Sequence, residues 1–321
     1  MKLRYWTLFS VIGFAALLCA CGGGSPSQAE GSGGTGGGTG GGSTGIPQFA
    51  HVFILVEENH SYSDVIGNSN MPYLNSLASA NGLATQYFAD AHPSLPNYFE
   101  LTVGAGTAIT GTQGDNYPGP VTQDNLVRAL ASAGKSWRFY GEALPQIGYT
   151  GPDTGLYVHR HNPFSYLSDV LNSPVQAANL VPFTQLSSDL SSGTLPAYGF
   201  IVPDLSNDAH DCPSGMPTCT DTQKLANADQ WLKNNIDPLI KSSAFQNSLL
   251  IITFDEGDAS DSANGGGHVA TLIISPKAKA GYQSTTLYQH ESTLRLTMKA
   301  LGVADLPGGA ATAPDMTEFF Q

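Results

Sequence analysis

The chain is 321 residues long, 41% hydrophobic and 12% charged, with 13 Lys and Arg against 26 Asp and Glu and a formal net charge of −13. That balance leaves no basic surface to displace counterions from a nucleic-acid backbone, which argues against nucleic acid as a partner. Most of the acidity reads as solvated surface, with part of it available to bound cations.

Lys2 and Arg4 form a short basic n-region, Leu8 to Leu18 an apolar stretch, and Leu18-Cys19-Ala20-Cys21 a lipoprotein cleavage pattern. Residues 1–20 are therefore expected to be a signal peptide, and Cys21 the lipidated first residue of the mature chain. The apolar run falls short of the roughly 20 residues that a membrane span needs. Cleavage after Ala20 removes two basic residues and no acidic one, taking the formal charge to −15. From Gly22 to Gly45 the chain is dominated by Gly, Ser and Thr, so residues 21–45 form a lipidated, flexible linker with a reach of about 27 Å. These features describe an exported lipoprotein held to a membrane by its N-terminal lipid. Gly22 after Cys21 is compatible with outer-membrane sorting, the domain facing the periplasm or the exterior. Residues 46–321 remain for one α/β catalytic domain, with no internal repeat and no second linker.

Within that domain His51 to Val56 is a continuous apolar run that ends abruptly in charge, the pattern of a fully buried central strand. A helix is expected over Pro72–Ala80 with Gly82 as its stop, then a strand over Leu83–Phe88 and a helix over Leu95–Val103 entered through Ser94. Asn125–Ala133 is amphipathic and stops at Gly134, and Trp137–Tyr140 reads as the next strand. Three further short apolar runs, Tyr198–Val202, Leu249–Phe254 and Val269–Ser275, are separated by helical patterns such as Thr222–Ile240. The alternation predicts a three-layer α/β/α sandwich with a mainly parallel central sheet. In such sheets ligands sit beyond the carboxyl ends of the strands, where Glu58, Ser94, Asp204 and Asp255 all fall.

Ser94, flanked by Pro93 and Leu95-Pro96, suits a nucleophile whose following helix offers free N–H groups to an anion; it equally suits a plain helix cap. Glu58 with Asn59, and Asp255 with Glu256, place adjacent oxygen ligands at two strand ends, with Glu57 as an alternate. Such a set favours a hard divalent cation, Ca²⁺, Mg²⁺ or Mn²⁺, although acidic residues also simply begin polar loops. Asp204, Asp208, His210 and Asp211 cluster in one segment that can ligate a metal, hold a general acid, or form a turn-rich surface loop. His268 follows Gly265-Gly266-Gly267, a stretch that would let backbone approach a ligand closely or simply flex. His161 belongs to the same pocket on chemistry alone.

Cys212 and Cys219 remain once Cys19 and Cys21 are assigned to export, and their spacing predicts a local disulfide around Pro213–Thr218. No Gly-x-Ser-x-Gly elbow surrounds Ser94, and the glycines near 104 and 265 lack the lysine of a nucleotide-binding loop.

Taken together, Val56-Glu57-Glu58-Asn59-His60-Ser61-Tyr62, His92-Pro93-Ser94-Leu95-Pro96-Asn97-Tyr98, Arg160-His161-Asn162-Pro163, the Pro203–Asp211 segment and Phe254-Asp255-Glu256-Gly257 resemble the bacterial phosphoesterase family of phospholipases C and acid phosphatases. The likeness spans most of Ile46 to Leu301 and implies an alkaline-phosphatase-like fold. It also implies Ser94 as a phosphorylated nucleophile, with Glu58, Asn59, Asp255 and Glu256 as ligands of one metal ion. His161 and His210 would contact phosphate or protonate the leaving oxygen, and Asp204 and His268 would be candidates for a second metal or phosphate site. The substrate would be a small-molecule or lipid phosphoester; no protein partner is implied. An acid-phosphatase-like monoesterase is favoured over a phospholipase C because the domain is short for the family. A catalytically silent, tethered binding lipoprotein is the alternative from another class.

Overall fold

A computed structural model describes residues 45–321. The expected signal peptide, lipidated Cys21 and all but the last residue of the linker lie outside the described residues.

The long apolar runs become the centre of one eight-stranded sheet. Its strands are β1 (His51–Glu57), β2 (Gly82–Ala84), β3 (Trp137–Gly141), β4 (Leu180–Pro182), β5 (Tyr198–Val202), β6 (Ser248–Phe254), β7 (Thr271–Ile274) and β8 (Gln283–Ser284), in the spatial order β4-β3-β5-β1-β6-β7-β2-β8. β1 is parallel to both of its neighbours, β5 and β6. Every residue of β5 and β6 is buried, as is all of β1 beyond His51, so both faces of the sheet centre are covered, as a parallel α/β core requires. The α/β sandwich with a mainly parallel central sheet expected from alternation is the fold observed. Two junctions depart from parallel order: β7 runs antiparallel to β6 and to β2.

Other boundaries shifted for local reasons. The strand expected over Leu83–Phe88 is cut by a turn at Thr85–Gln86, leaving β2 and two single bridges at Tyr87 and Phe88. The helix expected over Thr222–Ile240 divides into Asp221–Asn235 and Asp237–Ile240, because Pro238 has no N–H to continue the ladder. A Thr220–Gln223 capping box fixes the start of the first piece.

The Ser94–Glu100 helix is buried at all seven positions. At its end Glu100 accepts a hydrogen bond from Thr107 N on Oε1 (3.3 Å), while Oε2 is buried without a donor. Burial, then the nearby Glu291 carboxylate, pushes its carboxyl up to about 7. The folded chain thus keeps a proton that the unfolded chain, at an ordinary pKa near 4.5, releases. Folded-state stability is therefore present at low pH and is lost as pH rises from about 4.5 through about 7. Glu100→Gln is expected to remove that loss, making the variant more stable than wild type at pH 8 by on the order of 3 kcal/mol and little different at pH 4. Urea denaturation at the two pH values checks this; parallel pH profiles for the two proteins would contradict it.

Candidate active site

The register of β1 against β6 builds the site. Glu57 pairs with Phe254, and Asp255 N continues the ladder to Glu57 O at 2.9 Å, so Glu58 and Asp255 emerge side by side beyond adjacent carboxyl ends. Asn59 then takes a left-handed conformation, φ 44°, which asparagine tolerates better than most residues. Its N–H donates to Asp255 Oδ1 (3.2 Å) and its Nδ2 to Glu256 Oε1 (2.6 Å). The second pair of carboxylates is thereby clamped to the first strand end.

Ser94 enters this cluster from the opposite element. The helix cap is Pro93 and carries no side-chain cap bond; the Ser94 hydroxyl instead donates to Glu58 Oε2 at 3.3 Å. The cap alternative therefore does not describe this serine. One of the helical N–H groups expected to be free for an anion is also taken: Leu95 N donates to Asp115 Oδ1 at 2.8 Å, and Arg160 Nε holds the other oxygen of Asp115 at 3.3 Å. Tyr98, one turn on from Ser94, donates its hydroxyl to Glu58 Oε1 and stacks on His161 with ring centroids 5.3 Å apart. His161 Nε2 lies 3.4 Å from Glu58 Oε2, and its Nδ1 3.9 Å from Asp208 Oδ2.

The electrostatics are those of carboxylates crowded out of water. Burial, then Asp255 and Asp208, raises Glu58 well above the usual carboxylate range. Burial brings Asp255 to about 6, against hydrogen bonds from Ser94 and the Asn59 N–H that work the other way. Burial, then Asp255, brings Glu256 to about 9. Burial also holds His161 well below the ordinary imidazole value, so the ring is neutral. Asn59 Oδ1, Asp255 Oδ2 and Asp208 Oδ2 are buried with no hydrogen-bond donor. Lone pairs of this kind are costly unless something positive faces them. Among the described residues no three His, Cys, Asp or Glu side chains form a ready-made metal cage. The orphaned Asn59 Oδ1 and Asp255 Oδ2, beside Glu58, are the oxygens whose chemistry suits a hard divalent cation.

The remaining candidates are dispersed. Asp204 folds back on its own turn, its Oδ1 accepting from Ser206 N (3.0 Å) and Ser206 Oγ (2.8 Å), while Asp208 from the same segment reaches His161. His268 is stacked between Tyr62 and Phe88, at 4.4 and 4.8 Å, with Nε2 against Thr85 O at 3.0 Å. His210 is half-buried, its Nδ1 2.7 Å from Asp211 Oδ1. Asp204, His210 and His268 are thus not drawn together. The glycines before His268 approach the protein's own chain: a Cβ on Gly265 would stand 2.1 Å from Asp90 O, and Gly266 N donates to Ala89 O. The disulfide Cys212–Cys219 forms, closing the loop after His210.

Three contributors carry no assignment from the sequence. His92 Nδ1 lies 2.8 Å from Glu256 Oε2 and its Nε2 2.8 Å from Asp261 O, fixing Glu256 from behind. His290 Nε2 meets Asp255 O at 2.7 Å. Asp115 closes the space between Leu95 and Arg160. The position of His92 two residues before Ser94 was the only available signal for it; Asp115 and His290 lie in segments with no pattern of their own.

The sequence profile of the Phosphoesterase family matches residues 68–304. The chain belongs to the Phosphoesterase family. The match takes in Ser94, His161, His210, Asp255 and Glu256; Glu58 and Asn59 precede it. This phosphoesterase is 31% identical to the phosphatidylinositol-3-phosphatase of Mycobacterium tuberculosis over 278 residues, 87% of this chain and 85% of that one. It is 29% identical to a probable acid phosphatase of Kluyveromyces lactis over 77% of this chain, and the aligned region is 56% of that protein's length. An alkaline-phosphatase-superfamily structure from Vibrio parahaemolyticus superposes with a TM-score of 0.56 at 16% identity, covering 87% of this chain and 73% of that one; it shares the fold. This phosphoesterase is therefore a phosphoester hydrolase, and the reading as a silent binding lipoprotein is set aside.

Proposed function

We propose that this phosphoesterase is a metal-dependent phosphomonoesterase acting through a phosphoserine intermediate. The observation that supports it is the Ser94 hydroxyl, 3.3 Å from Glu58 Oε2, beside Asn59 and Asp255 oxygens that are buried without a donor. Glu58, Asn59, Asp255 and Glu256 would hold a divalent ion, which when bound supplies Lewis-acid neutralisation of the phosphoryl and serine oxygens. Ser94 Oγ attacks phosphorus as its proton passes to Glu58 Oε2, the P–O bond to the alcohol breaks, and water then cleaves the phosphoserine P–O bond, releasing inorganic phosphate and restoring the Ser94 hydroxyl. His161, kept neutral by burial, serves as an N–H donor to a phosphoryl oxygen rather than as an acid. His210, half-exposed in the cleft that Asn59 also lines, would protonate the departing alkoxide. His92 and Tyr98 hold Glu256 and Glu58 in position.

The monoester preference is supported by the relatives, which are named as phosphatases, one of them for a lipid monoester. A lipidated Cys21 would tether such an enzyme to an exported membrane face and bring lipid phosphates within reach. Turnover of an aryl phosphate is expected to exceed that of the matching aryl diester and of a choline phospholipid by at least about 100-fold, and an acid quench should trap phosphate on Ser94. Faster diester turnover would replace this reading with a phosphodiesterase or phospholipase C.

A further inference from the structure

Asn59, from the proposed ligand set, and His210 stand in the wall of a cleft of about 810 Å³. The rest of the lining carries four carboxylates, Asp64, Asp221, Asp258 and Asp261, against a single amine, Lys224. Lys224 Nζ lies 3.2 Å from Asp221 Oδ1, so its charge is already paired within the wall. Two of the other carboxylates are fixed in place. Asp258 Oδ1 accepts from Ser260 N and Ser260 Oγ, and Asp261 Oδ2 from Ser61 Oγ and His268 N. Asp64 is solvent-exposed on the same cleft. The remaining lining is mostly hydroxyl, amide and imidazole, with only Ala209, Leu225 and Ala259 apolar.

We infer that this cleft receives the alcohol of the phosphoester and selects it by charge, favouring alcohols that bear a cation, then neutral polyols, and rejecting those that carry a second anionic group. The inference rests on the monoesterase reading and deepens it. Carboxylates gathered along a cleft focus their potential into it, and a phosphoester whose phosphoryl group sits beside Asn59 would place an alcohol directed towards His210 in that field. Sparse apolar lining means that the selection is by charge and hydrogen bonding, without a slot for an acyl chain.

The test uses three esters of matched size, 2-aminoethyl phosphate, 2-hydroxyethyl phosphate and carboxymethyl phosphate, with an aryl phosphate as reference. The expected kcat/KM order is ammonium over hydroxyl over carboxylate. Because the three alcohols differ in intrinsic reactivity, the deciding quantity is the ammonium-to-carboxylate ratio in wild type against variants. Asp64→Asn with Asp258→Asn is expected to shrink that ratio about fivefold, and 0.5 M salt to shrink it in wild type. Asp305→Asn, in a separate cavity, should leave it unchanged. Normal aryl phosphate turnover with a ratio indifferent to both the double substitution and salt would overturn this inference alone. Absence of turnover on every ester, aryl phosphate included, would overturn the monoesterase reading and this inference with it.

Discussion

Ser94→Ala is expected to lower kcat on an aryl phosphate by at least about 10⁴-fold, since it would remove the nucleophile on which the proposed reaction depends. The substitution removes one oxygen and little else. Ser94 makes no cap bond to the helix it opens, so helix stability is not at stake, and Glu58 keeps its hydrogen bond from Tyr98. Thermal stability is expected to stay within about 1 kcal/mol of wild type. Bound metal should be retained by the remaining oxygen ligands, and the acid-stable phosphoprotein formed with substrate should disappear. Those three readouts separate loss of a nucleophile from loss of a fold or of an ion. Turnover within tenfold of wild type would mean that water attacks phosphorus directly and that the Ser94 hydroxyl only helps to bind.

How much of this was legible in the sequence follows from where the information sits. His51–Val56 and Leu249–Phe254 read correctly as buried strands because continuous apolar runs have no other stable use in an α/β sheet. Since strand ends are where such runs meet charge, Glu58 and Asp255 were located with them. What the sequence lacked was register. Nothing in it states that Glu57 pairs with Phe254, and that pairing alone makes Glu58 and Asp255 neighbours. The same limit explains Asp204 and Asp208. Both lie in one polar segment and composition treats them alike, but the turn whose bonds Asp204 accepts turns its own side chain back on itself and sends Asp208 to His161. His268 followed three glycines, a pattern that suggests ligand access; the glycines instead permit close packing against residues 89–91. The short strands β4 and β8, three and two residues long, are too brief to carry a periodicity. The antiparallel direction of β7 is a matter of topology that its apolar content does not encode.

Chelation is expected to reduce activity by at least about 10³-fold, with recovery on adding one divalent cation per site. Burial raises four acidic side chains, Glu58, Asp208, Asp255 and Glu256, and Asp255 raises the other three further, while Asn59 Oδ1 and Asp255 Oδ2 lack any donor. Those upward shifts mean that the cluster takes up protons on folding, and its stability should weaken as pH rises. A divalent ion bound there would replace those protons, so metal affinity should increase with pH and binding should release protons. Metal also stabilises whatever state binds it, by about 2.7 kcal/mol at a free concentration 100 times its Kd. Melting temperature in the presence of Mn²⁺, Mg²⁺ or Ca²⁺ therefore gives a readout independent of turnover. Asp255→Asn keeps the shape and an oxygen but removes a charge, and is expected to weaken metal binding by about 10- to 100-fold, counted by elemental analysis after dialysis. A variant that keeps full metal occupancy would remove Asp255 from the ligand set, and a wild-type protein whose melting temperature no divalent cation raises would remove the metal-dependent reading.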